Sequence, residues 1–286
     1  MEVMGGLCAL RSATEAMWET LSPQCLSYHA TWHRQCRRLS RPAESTVNTH
    51  NTHTPLHHMS VYACVARDVP PKERLSNRKA KASLDIEWNR LRKAGKQGCW
   101  DENKVREYHH IVHEVRREQR KAHFGKIFEV CVEKNFRLHE PHPASKFKGR
   151  VVYQGNNVRD EHGDAAFFQD LSSCPATMEA AKCADCFAMI DGNVGQQADA
   201  EQAYTQAAFR GTETWVRIPK HQWPKHWEGK YTDPVCPLLL ALYGHPESGG
   251  YWEQHCEAHL LSVGFENIPD WRSCYYHKRL DLFLVV

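Results

Sequence analysis

Apolar residues first take on a regular spacing at Ser83. Leu84, Trp88 and Leu91 recur at helical distance, and Gly95 and Gly98 then stop the helix ahead of Cys99 and Trp100. The spacing predicts a second helix from Glu102 to Ala122, with Val105, Tyr108, Val112 and Val115 on one face and Arg and Lys on the other. The period then changes from 3.6 to 2. Phe128, Val130 and Val132 alternate with Glu129, Cys131 and Glu133; beyond a loop with Pro and His, Phe147, Gly149, Val151 and Tyr153 alternate with Lys148, Arg150 and Val152. These two runs predict an antiparallel hairpin whose second strand shows Lys148 and Arg150 on one side. Two cations side by side on a strand can grip a polyphosphate.

Further along, Ser173 and Pro175 open a predicted helix through Met189. QQADA (196–200) and TWVRIP (Thr214 to Pro219) read as short strands. A helix is expected from Gly250 to Val263, with Trp252, Cys256, Leu260 and Val263 inward and Gly264 as its stop. A last hairpin joins Ser273–His277 to Leu280–Val286 and turns at Lys278-Arg279. Mixed elements with antiparallel pairing predict an α+β fold. Residues 1 to about 66 show neither period, and ESTVNTHNTHTPLHHMS is rich in Thr, His and Asn, so 1–66 is expected to be a low-complexity, disordered leader before a folded part over 67–286. Its histidines His29, His33, His50, His53, His57 and His58 have no fixed scaffold there and are given no function.

With 286 residues, 41% apolar and 10% aromatic, the chain can bury one large core or two modest ones. No apolar run approaches the roughly 18–20 residues that span a bilayer. The N-terminus MEVMGGLCALRSATEAMW lacks the plan of a secretory signal, so an intracellular location, cytoplasmic or nuclear, is expected. The twelve cysteines are scattered along the chain, which in a reducing compartment predicts free thiols and no structural disulfide. The net charge of +3 says little about partners, but its distribution says more. KER, NRKAK, RLRK, VRREQRK and KFKGR fall between Arg67 and Arg150, a basic tract that can follow a phosphate backbone or simply solvate helix faces.

The densest chemistry lies in QADAEQAYTQA, residues 197–207, where Asp199 ends a strand and Tyr204 follows five positions later. A carboxylate at a strand end can hold a divalent cation, with a nearby ring lining the pocket; such carboxylates are also common and inert. Cys183 and Cys186, with Cys174 before them, allow a zinc reading that lacks a second pair at matching spacing. His255, Cys256 and His259 read as core or surface, and His109, His110 and His113 as solvated. No nucleophile elbow, P-loop or dinucleotide fingerprint occurs.

PVCPLLLALYGHPESGGYWEQHCEAHLLSVGF (234–265) resembles the copia-type retrotransposon reverse transcriptase, whose pattern runs roughly LYGLKQSPRAW and then a helix ending in Gly-Phe. LYG at 242–244, Ser248, Trp252 and Gly264-Phe265 match in spacing. QADAEQAY resembles the family's QMDVKTAF, KFKGRVVYQG (146–155) its KARLVAKG strand, and EWNRLRKAGKQGCW (87–100) its opening EWxxL...GTW. Four blocks in the family's order are far more specific than any one alone.

The resemblance implies the fingers and partial palm of an RNA-directed DNA polymerase, a nucleotidyltransferase of a Pol polyprotein that joins deoxynucleotides on an RNA or DNA template-primer. Asp199 would be the first catalytic, metal-binding aspartate, working with two Mg²⁺, for which Mn²⁺ can substitute. Lys148 and Arg150 would bind the triphosphate, and Tyr204 would close off the sugar 2′ position. Gly244, Ser248 and Gly249 would contact template and primer. Integrase and RNase H parts of the same polyprotein are the implied partners. Two departures bear on activity. Pro246, Glu247, Ser248, Gly249 and Gly250 stand where the family has Lys-Gln-Ser-Pro-Arg. In the family the strand matching LDLFLVV runs into Tyr-Val-Asp-Asp, so this chain is expected not to polymerise as it stands. The alternative reading is a catalytically dead remnant that at most binds nucleic acid.

Overall fold

A computed structural model describes residues 66–136, 145–168, 173 and 175–286, together with the backbone of 6–11. In chain order the elements are β1 (Gly6–Arg11), β2 (Ala66–Asp68), α1 (Pro71–Ser76), α2 (Arg78–Arg92), β3 (Arg106–Glu107), α3 (Tyr108–Arg117), β4 (Ala122–Lys134), β5 (Lys146–Tyr153), α4 (Met178–Ala188), β6 (Asn193–Ala198), α5 (Ala203–Gln206), β7 (Glu213–Arg217), β8 (Pro234–Pro237), α6 (Ser248–Ser262), β9 (Glu266–Asn267), β10 (Cys274–His277) and β11 (Leu282–Val285). Helices and strands mix as the α+β class requires. The strands form two sheets, one ordered β2-β4-β7-β8-β3 with β5 also on β4, the other β6-β1-β11-β10-β9.

The first sheet is built around the expected hairpin. β4 and β5 pair antiparallel with Val130 opposite Arg150 and Val132 opposite Lys148. Helix α2 starts at Arg78 because Asn77 caps it, its side chain accepting from the amides of Lys79 and Ala80 at 3.0 and 3.3 Å. It buries Leu84, Trp88 and Leu91, the periodic stripe read in the sequence, and Ala80 and Glu87 with them. Gly149 lets this helix lie directly on β5, since a Cβ there would stand 2.7 Å from the Ser83 carbonyl oxygen. The main core then closes over the hairpin: Trp88 and Trp100 meet edge to face at 5.6 Å, and Trp227, Tyr153, Val216 and Leu242 fill the space around them.

Three expectations need correction in this sheet. The helix expected over 102–122 is three elements. Asp101 accepts from Asn103 N and starts a short turn over Glu102–Lys104, β3 then pairs Arg106 with Val235 and Glu107 with Pro234, and only Tyr108–Arg117 is α-helix. Gln119, at φ 54, ends it, and Ala122 already belongs to β4. The edge of β8 supplies backbone partners that no local pattern reveals. Pairing is also not wholly antiparallel, for β7 runs parallel to β4 with Phe124 opposite Trp215. Finally, β2, α1 and β8 have no counterpart among the expected elements.

The second sheet takes in one short segment of the expected leader. Gly6–Arg11 is a strand paired on both sides, Leu7 facing Gln197 of β6 and Val285 of β11. A strand in that slot satisfies the backbone groups of two edges at once, and the short apolar run Leu7-Cys8-Ala9-Leu10 was the available signal. The rest of the leader, including its six histidines, lies outside the described residues. Helix α4 is capped by Thr177 instead of Ser173 and packs Ala180 and Ala184 against Cys274, Phe283 and Val285. The final hairpin turns over four residues, Lys278 to Asp281, with the Tyr276 hydroxyl donating to Asp281 Oδ1 at 2.6 Å. Trp252, Cys256 and Leu260 of α6, and Val263 just after it, are half-buried, and Ser248 is the α6 residue that is fully inside.

Candidate functional site

Lys148, Arg150, Asp199 and Tyr204 come from three separate segments; the structure brings Arg150, Tyr204 and Asp199 together around Tyr243, with Lys148 beside Arg150. Lys148 and Arg150 lie two positions apart on β5 and so share one face. The Arg150 guanidinium sits over the Tyr243 ring, 5.4 Å from its centre, and the Tyr204 ring lies 4.7 Å from that of Tyr243. Asp199 is exposed just beyond the end of β6, one residue past the strand that was expected to contain it. Tyr204 is set by the short helix α5, which the left-handed Gln202 starts.

The ionisable groups of this cluster act on one another. Partial burial, and then repulsion from Arg150 and Lys134, hold the Lys148 ammonium below the ordinary lysine range, while Asp199 and Glu87 act against that shift. Burial raises the Tyr243 hydroxyl, with Arg150 opposing and Glu87, Tyr204 and Asp199 adding to the rise. Burial likewise raises the Glu87 carboxyl, against the pull of Arg150, Arg90 and Lys148. Lys148 and Arg150 share their surroundings with the carboxylates of Asp199 and Glu87, and Arg90 nearby is paired with Glu201 at 3.4 Å. Glu87 and Tyr243 were missed as site members. The signals were at hand: Glu87 sits on the buried stripe of α2 between Leu84 and Trp88, and Tyr243 is the aromatic of LYG.

The three residues expected to touch template and primer shape a turn. Ser248 is 1% exposed, and its hydroxyl both donates to Leu242 O at 2.8 Å and accepts from Leu242 N at 3.0 Å. The hydroxyl is thus tied into the turn itself, and any contact to a template would fall to the backbone around it. Gly249 lies against the Ser173 side chain, and Gly244, at φ +87, presses on the last carbonyl of β5. The next residue, His245, enters an aromatic box with Tyr153, Phe168 and Phe209, ring centres 4.9, 5.4 and 4.9 Å away. Its Nδ1 accepts from Glu247 N at 3.3 Å, whereas His245 Nε2 and the Tyr153 hydroxyl are buried with no hydrogen-bond partner.

The basic tract divides into two kinds of cation. Arg67 pairs with Glu73 and Glu133, Arg92 with Glu102, Arg106 with Glu114, and Arg120 with Glu114, Glu118 and Glu213, so these arginines serve the fold. Cys183 and Cys186 are exposed on α4, and Cys174 lies outside the described residues. Cys99, Cys131, Cys236, Cys256 and Cys274 are free as well. Among the described residues no group of three or more His, Cys, Asp or Glu is placed to hold a metal, and no helix is long and apolar enough to cross a membrane. His109, His110 and His113 are exposed, as expected. No protein-family model matches the chain, and neither the curated proteins nor the solved structures hold a match to it.

Proposed function

We propose that this chain is the fingers and part of the palm of a copia-type reverse transcriptase, binding a template-primer and a deoxynucleoside triphosphate. One observation carries the reading. The residues that the sequence resemblance singles out for nucleotide binding and chemistry, far apart in the chain, lie together: Arg150 over the Tyr243 ring, Tyr204 beside it, and Lys148 and Asp199 close enough to act on each other. On this reading β5 offers Lys148 and Arg150 to the triphosphate, Tyr204 stands at the sugar, and Asp199 faces the reacting phosphate.

A second reading, nucleic-acid binding without polymerisation, is favoured by the ligand count. The resemblance implies two Mg²⁺, and two like charges held roughly 3.5–4 Å apart need several carboxylates. Asp199 supplies one, and no group of three ligands forms among the described residues, so these residues alone do not fit a two-ion site.

Primer extension on poly(rA)·oligo(dT) with Mg²⁺ separates the readings. Extension that falls at least about 100-fold in Asp199→Asn supports the polymerase. Salt-sensitive binding of the template-primer without extension leaves only the binding protein. Absence of both overturns the family reading. In the binding assay, Arg150→Ala is expected to weaken triphosphate affinity by about 10-fold or more, as the loss of a charge-assisted hydrogen bond does.

A further inference from the structure

Residues 219–227 read PKHQWPKHW, a tandem repeat of Pro-Lys-His ending each time in Trp. The two copies have the same backbone. Pro219 (φ −55, ψ 138) and Pro224 (φ −56, ψ 140) each open a one-turn 3₁₀ helix, Lys220–Gln222 and Lys225–Trp227. Proline fixes φ ahead of each turn, so both are set before any ligand arrives. Trp227 is fully buried in the main core, 6.4 Å from Trp223 and 6.0 Å from Tyr231, and the Trp223 indole donates to Ile218 O at 2.8 Å. Arg92 of α2 binds the Gln222 carbonyl, fastening the repeat to the helix that also covers β5.

What this rigid base displays is basic. Lys220, His221, Lys225, His226 and Lys230 are all exposed, with Glu228 as the acidic side chain among them. His221 is engaged by Glu129 at 2.9 Å. The lysines are not engaged by carboxylates: among the described residues none of the three makes an ion pair, in contrast to the paired arginines of the first sheet. Lys220 and Lys230 instead stand over rings, 5.8 Å from Trp223 and 5.3 Å from Tyr231. Holding unpaired cations at a fixed spacing on a prolyl scaffold removes most of the ordering entropy from binding a regularly spaced polyanion.

We propose that the tandem turns of residues 219–231 form a preformed strip that grips the phosphodiester backbone of a nucleic acid, separately from the triphosphate-binding residues. The inference rests on the nucleic-acid reading above and adds a second binding region to it. The strip meets phosphates, so it carries no sequence preference.

The test measures the affinity of the full chain for a labelled single-stranded oligonucleotide across a salt series. In the triple variant Lys220→Ala/Lys225→Ala/Lys230→Ala the slope of log K against log[salt] is expected to be shallower by about 2, at about 0.7 for each phosphate no longer neutralised. The triple variant Lys220→Arg/Lys225→Arg/Lys230→Arg is expected to keep the wild-type slope. Triphosphate binding should be unchanged in both, which also shows that they fold. A wild-type slope in the alanine variant overturns the strip while leaving the nucleic-acid reading intact. An arginine variant that behaves like the alanine one overturns its electrostatic basis, and a wild-type chain with no salt-sensitive binding overturns both.

Discussion

Alanine at position 244 is expected to destabilise the chain by roughly 2–5 kcal/mol and to disperse the candidate site with it. Gly244 sits at φ +87, where a Cβ costs about 1–2 kcal/mol in conformational strain alone. The added carbon would also stand 2.2 Å from the Tyr153 carbonyl oxygen, a backbone atom that cannot rotate away. Relief requires parting the turn from the end of β5, which breaks the bond from Tyr153 N to Tyr243 O (2.7 Å). Tyr243 would then leave Arg150 and Tyr204, so on the proposed function triphosphate affinity should fall even at temperatures where the variant stays folded. Gly229→Ala is the control: its φ is +73 but nothing lies within 4 Å of the added carbon, so only the strain remains and about 1 kcal/mol is expected. Denaturant unfolding of both variants decides the matter. Equal losses would show that the close approach to β5 does not restrain the turn.

The parts of this site that could be read from the sequence are those fixed by local period. Lys148 and Arg150 alternate with residues facing α2, and that alternation survives in the fold because β5 is covered on one face by the helix. Leu84, Trp88 and Leu91 form the stripe that their spacing requires. Long-range edges were not legible. The region after Trp100 keeps a helical pattern in its side chains, yet residues 106–107 turn extended because β8, over a hundred residues later, offers a pairing edge. β1 was hidden for the same reason, and the parallel pairing of β7 with β4 depends on the route of everything between them. Ser248 and Gly249 also have a packing role that the sequence did not reveal, one against Leu242 and the other against Ser173. The tandem prolyl turns were fully visible as sequence, and only the burial of Trp227 shows that they are rigid.

Mild acid is expected to unfold this chain through His245 before its carboxylates titrate. Burial among Tyr153, Phe168 and Phe209, with His123 nearby adding repulsion, pushes the His245 imidazole down to about 3 from an ordinary 6.5. Nδ1 already accepts from Glu247 N, so a protonated ring would place its charge in an apolar box with no carboxylate partner; the Glu247 carboxylate is itself held by the Tyr251 hydroxyl at 2.6 Å. The folded state therefore refuses a proton that the unfolded chain accepts below pH 6.5. Stability is full above that value and is lost as pH falls from 6.5 toward 3, at about 1.4 kcal/mol per pH unit for one proton and on the order of 4 kcal/mol across the window. His123, also lowered by burial, adds to the slope in the same direction. Carboxylates such as Glu73, Glu114 and Glu118, held low by their arginines, lose their contribution only at more acid pH, below about 4.3 where unfolded glutamates take up protons. Urea unfolding at about pH 7, 6 and 5 thus isolates the histidines. His245→Gln should flatten the dependence by close to one proton, and Tyr153→Phe, which removes a buried hydroxyl without a partner, should leave the slope unchanged while raising stability by about 1 kcal/mol at every pH. A His245→Gln variant with the wild-type slope would place the acid lability elsewhere, with His123 the next group to replace.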